Sequence, residues 1–70
     1  MKEVQDMKTF YWWVIKENSA FCGEEFITEL NKGSYKDHKK HAQTLFPGAV
    51  LECYGKVSDL EAKEMQMNIF

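Results

Sequence analysis

The sequence contains no arginine; all nine of its basic residues are lysine. Arginine grips a phosphate or a guanine edge through two parallel hydrogen bonds, whereas lysine offers a single point charge. Against eleven acidic residues the net charge is −2, which points neither to a nucleic-acid binder nor to an acidic mimic of one. Lysine-only usage also follows from codon bias in an AT-rich genome. Proline occurs once, at Pro47, and the four glycines (Gly23, Gly33, Gly48, Gly55) are scattered, so there is no glycine-rich phosphate loop. The two cysteines, Cys22 and Cys53, lie 31 positions apart and form no spaced disulfide framework. No run approaches the ~20 apolar residues of a membrane-spanning helix. The stretch Met1-Lys2-Glu3-Val4-Gln5-Asp6 is charged and lacks the apolar core of a secretory leader. These absences predict a cytoplasmic protein with reduced thiols and no membrane partner. The chain reads as a complete small protein.

What is present is a high apolar content: 44% of the 70 residues are hydrophobic and 14% aromatic, enough to fold. One domain, residues 1–70, is expected. A domain of this size buries only about 60% of its unfolded surface and is held by a few kcal/mol.

The centre of the pattern is Thr9-Phe10-Tyr11-Trp12-Trp13-Val14-Ile15, which carries both tryptophans. Aromatic and β-branched residues suit a pleated, buried surface, so this run predicts a strand over about 8–16. Alternation puts Phe10, Trp12 and Val14 on one face and Tyr11, Trp13 and Ile15 on the other. Neither face is polar. The strand therefore asks for cover on both sides, which a chain this short has little material to supply.

Residues 1–7 read as a polar lead-in and 17–24 as a loop, with Phe21 and Cys22 tucking under the sheet. Residues 25–30 predict a second strand, hairpin-paired with the first. Asn31-Lys32-Gly33 breaks it. Ser34, with Asp37 three residues on, is a helix N-cap with an acidic capping box. Tyr35, His38, Ala42 and Leu45 recur at helical spacing, and Pro47-Gly48 stops the helix. Residues 49–57 predict a third strand, with Leu51, Cys53, Gly55 and Val57 on the core face and Gly55 marking a bulge or a close packing contact. Ser58-Asp59-Leu60-Glu61 caps a second helix over about 59–67.

The fold class is then α+β, a small single domain in the order ββαβα. A three-stranded, mostly antiparallel sheet of order 2-1-3 carries helix 35–46 on one face. The C-terminal helix either joins it there or covers part of the other face. In the first case one set of aromatics stays open, and a contiguous aromatic patch marks an interaction surface.

Four site readings follow. Phe10, Tyr11, Trp12 and Trp13, with Tyr54 alongside, are candidates for a protein-binding face or a homodimer contact, because Trp and Tyr dominate such surfaces. Lys32, Lys36, Lys39 and Lys40 form an alternative, sequence-independent nucleic-acid surface, although such a row is ordinarily just a solvated helix face. Cys22, His38, His41 and Cys53 are the right types for zinc and make a zinc-stabilised domain the second alternative, but structural zinc sites bring cysteines as a close pair, so no metal is assigned. No motif calls for a cofactor. No nucleophile has a named base, and the chain has little room for an enclosed pocket, so it reads as non-enzymatic. The shortness, lysine-only basicity and self-contained ends are similar in style to small accessory proteins of bacterial phages and mobile elements. That likeness is of composition only. It implies a protein that modulates or inhibits a host protein.

Overall fold

The computed structural model describes residues 8–17 and 20–70. The expected polar lead-in, residues 1–7, lies outside the described residues, as do residues 18 and 19 of the first loop. Six elements follow in order: β1 (Lys8–Glu17), β2 (Glu25–Asn31), α1 (Tyr35–Leu45), β3 (Val50–Val57), α2 (Asp59–Glu64) and β4 (Asn68–Ile69). They form an α+β fold in which the sheet has four strands, not three, in the order β3-β1-β2-β4. β1 lies between β2 and β3 and is antiparallel to both, while β4 adds to the far edge of β2 in parallel.

The fourth strand corrects the expectation of a helix reaching residue 67. α2 ends at Glu64, and Gln66 turns the chain through a left-handed φ of 56°. The residues beyond then satisfy open backbone groups on β2: the Phe70 N–H donates to the Ile27 carbonyl at 2.8 Å, and Glu29 N–H to the Phe70 carbonyl at 2.8 Å. Hydrogen bonds to an unpaired strand edge outweigh the modest helix preference of Met and Gln.

Both helices start as the sequence dictates. The Ser34 hydroxyl accepts from Asp37 N–H, and the Asp37 carboxylate accepts from Ser34 N–H. Ser58 and Glu61 repeat the arrangement at α2. These backbone and hydroxyl donors hold the Asp37 and Glu61 carboxyls below their usual range.

The sheet is covered on both faces. On one, Trp13, Ile15, Phe26 and Ala42 form a core bordered by Tyr11, Leu45, Phe46, Leu51 and Cys53, beneath α1. On the other, Phe10, Ile27 and Ala62 form a second core with Val57, Met65 and Met67, beneath α2. Full burial of side chains such as Trp13 and Phe26 contributes about 2–3 kcal/mol each. α2 is thus the answer to the apolar second face of β1, but six residues cover only one end of it.

The bulge expected at Gly55 is present. Trp12 pairs with Gly55 and Trp13 with Cys53, leaving Tyr54 as the extra residue. The bulge changes the phase of β3, so Leu51 and Cys53 pack under α1 whereas Val57 packs under α2. The four residues predicted as one core face therefore serve two cores.

Candidate functional site

Two exposed aromatic groupings and one buried polar chain stand out, and all three depend on the β1–β2 hairpin.

The first grouping is Trp12 with Tyr54. Trp12 belongs to the α2 side of β1, paired with Ile27 in the register, yet it stays only half-buried. The bulge brings Tyr54 over it, edge to face, with ring centroids 4.8 Å apart. Tyr54 is 48% exposed and Trp12 half-buried. The indole N–H of Trp12 donates to the Glu25 carboxylate at 3.0 Å, which fixes the ring plane. The other candidates for this surface lie elsewhere. Phe10 and Trp13 are buried, one in each core. Tyr11 is half-buried on the α1 side against Tyr35 and His38. Of the five aromatic positions singled out by sequence, Trp12 and Tyr54 reach one surface together.

The second grouping escaped the sequence reading. Phe21, Phe26, Phe46 and Phe70 meet at the end of the sheet, with successive ring centroids 4.8–6.1 Å apart. Phe21 does not tuck under the sheet: it is 53% exposed and stands edge-on to Phe46. The four rings wall a cleft of about 170 Å³ whose rim carries Glu24 and Glu25. Its members come from the hairpin loop, β2, the end of α1 and the segment after β4. Only the oddity of Phe21 in a polar loop hinted at it.

The buried chain runs through His38, which is fully buried. Its Nδ1 lies 2.6 Å from the Thr28 hydroxyl and its Nε2 2.7 Å from the Thr9 hydroxyl. The Trp13 indole N–H donates to Thr28 Oγ1 at 3.0 Å. Thr9 Oγ1 donates to the carbonyl of Gly33 at 3.0 Å or of Leu30 at 3.1 Å. Donor counting then settles the ring. The Thr9 hydrogen goes to a carbonyl, so its oxygen accepts from His38 Nε2–H. The bare Nδ1 accepts from Thr28, whose oxygen accepts from Trp13. Every donor has an acceptor only when the imidazole is neutral. Burial, reinforced to a smaller degree by neighbouring His41 and Lys56 and opposed by the Asp37 carboxylate, lowers the His38 pKa below its usual 6.5.

This also bears on the zinc candidates. Both His38 nitrogens are engaged by threonines, and the Cys22 thiol donates to the Lys16 carbonyl. Cys53 borders the core, where burial pushes its thiol pKa up. Among the described residues no three His, Cys, Asp or Glu side chains gather as a metal-holding group, so the structure does not assemble Cys22, His38, His41 and Cys53. Lys32, Lys36, Lys39 and Lys40 are all exposed, Lys32 in the turn before α1 and the others along it. Among the described residues no helix is long and apolar enough to cross a membrane.

Comparison with protein-family models, with curated proteins and with solved structures finds no match to this chain.

Proposed function

We propose that this chain is a small non-enzymatic protein-binding module that docks a partner on the Trp12–Tyr54 face. The observation that carries the reading is the short reach of α2. It packs with Phe10, Ile27 and Val57, whereas Trp12, beside Ile27 in the register, stays half-buried against a tyrosine that is itself half exposed. A paired Trp and Tyr, held in place by Glu25 and flanked by polar residues, has the composition of an interface hot spot. The partner is a host protein whose activity the module modulates or inhibits, in a cytoplasm where Cys22 and Cys53 stay as the free thiols they are here. Self-association through the same face is the homomeric form of the same proposal.

The test is solution mass across a concentration series, together with capture of proteins from host lysate, for the wild type and three variants. Trp12→Ser and Tyr54→Ser should each lose the captured protein, or the dimer, while circular dichroism stays native. Leu60→Ser, at a residue 67% exposed on α2, should retain it. Association unchanged in both face variants would overturn the proposal.

A further inference from the structure

The phenylalanine cleft lies beside the Trp12–Tyr54 face and shares Glu25 with it. Its walls are apolar, and Phe21 and Phe70 are 53% and 43% exposed. Its charge is of one sign. Glu24 and Glu25 stand at the rim, and among the described residues neither has a lysine partner, whereas Glu29 and Glu52 are paired with Lys8 and Lys16 at 2.8 and 3.4 Å. The cleft's volume, about 170 Å³, is close to that of apolar protein cavities known to accept a benzene ring. Aromatic walls beside carboxylates that no lysine among the described residues neutralises attract a group that is apolar at its tip and positive nearby, through ring faces and Coulomb attraction together.

We propose that the cleft is the anchor site of this module's partner, taking one aromatic or branched apolar side chain that is flanked in the partner's sequence by lysine or arginine. The proposal rests on the reading of the chain as a protein-binding module and names the chemistry of what it binds. The apolar side chain enters between Phe21, Phe46 and Phe70. The flanking cations lie against Glu24 and Glu25. A second copy of this chain is a poorer occupant, because it would bring the same two carboxylates to the rim.

The test uses the whole chain and three short peptides: acetyl-Lys-Phe-Lys-amide, acetyl-Ser-Phe-Ser-amide and acetyl-Glu-Phe-Glu-amide. Each is titrated while backbone amide shifts are followed by NMR. The basic peptide should bind about three- to tenfold tighter than the neutral one, and the acidic peptide should bind weakest. Shift changes should centre on Phe21, Phe46 and Asn68. The preference should shrink at high salt and shrink likewise in Glu24→Gln, an exposed substitution that leaves the fold and the Trp12–Glu25 hydrogen bond unchanged. Equal binding of all three peptides, shifts centred on Tyr54, or no saturable shift would each overturn the inference. Those results leave the Trp12–Tyr54 proposal standing, because its own variants do not touch the cleft's rings. Conversely, failure of the Trp12→Ser and Tyr54→Ser test would not change the peptide titration.

Discussion

The Thr28 hydroxyl lies 2.6 Å from Nδ1 of His38, with both side chains fully buried. That contact makes the imidazole's protonation a stability term. A charged ring would donate from both nitrogens and leave the Thr28 hydrogen with no acceptor among the described residues.

The folded pKa of His38 is lowered, so the unfolded chain takes up its proton first as pH falls. The contribution is fully present above about pH 6.5 and is lost as pH drops through the lower, folded value. Denaturant unfolding followed between pH 7.5 and 4.5 should show stability falling below about pH 6.5, with a slope of at most about 1.4 kcal/mol per pH unit from this group. In His38→Ala, itself weaker by about 2–4 kcal/mol, that part of the slope should be absent. A wild-type profile matching the variant's would contradict the neutral, buried imidazole.

Gly33 is needed for space. A Cβ there would sit 2.7 Å from Leu30 Cβ and 3.2 Å from His38 Nε2. Gly33→Ala should therefore lower stability by about 1–3 kcal/mol and upset the ring contact to Thr9. The readout is the denaturation midpoint together with the His38 ring shifts in NMR. Unchanged values of both would rule out the close approach.

Gly55 is needed for its backbone, with a φ of 126° that L side chains rarely adopt. Gly55→Ala should cost about 1–3 kcal/mol or force the bulge to move. Either outcome shifts Tyr54 relative to Trp12, so tryptophan fluorescence should change with it. A variant equal to wild type in both stability and emission would contradict this account of the bulge.

Phe70 N–H donates to the Ile27 carbonyl, and a proline has no such hydrogen. Phe70→Pro should detach β4 and open the edge of β2 to other chains. Light scattering should then show concentration-dependent association that the wild type lacks. A variant with wild-type scattering would mean that β4 does not protect that edge.

The elements legible in the sequence are those whose signals are local. Seven apolar and β-branched residues in a row gave β1, and Ser34 with Pro47 bounded α1 to within one residue. β4 carries no such signal. Asn68 and Ile69 are a strand only because β2 has a free edge beside them, a fact of tertiary structure. Likewise His38 reads from its helical spacing as a stripe residue, but its partners stand 29 and 10 positions away, on two strands. The same distance in sequence hides the cleft. Phe21, Phe26, Phe46 and Phe70 look like four unrelated hydrophobes until the hairpin, α1 and the last segment converge. Of the aromatic surface, the residue types could be read but not the orientation. Which tryptophan faces outward depends on where α2 lands.

Thr9 and Thr28 belong to neighbouring strands of one hairpin, in a register that pairs Thr9 with Leu30 and Tyr11 with Thr28. The loop joining them is long, and long loops tolerate misalignment. A slip of one residue would put the two hydroxyls on opposite faces of the sheet. A slip of two would keep the faces but carry Thr28 away from Trp13 and from the imidazole. Only one alignment places both oxygens where His38 can engage them at once. The histidine thus acts as an alignment gauge: α1 seats fully on a correctly paired hairpin and on no other.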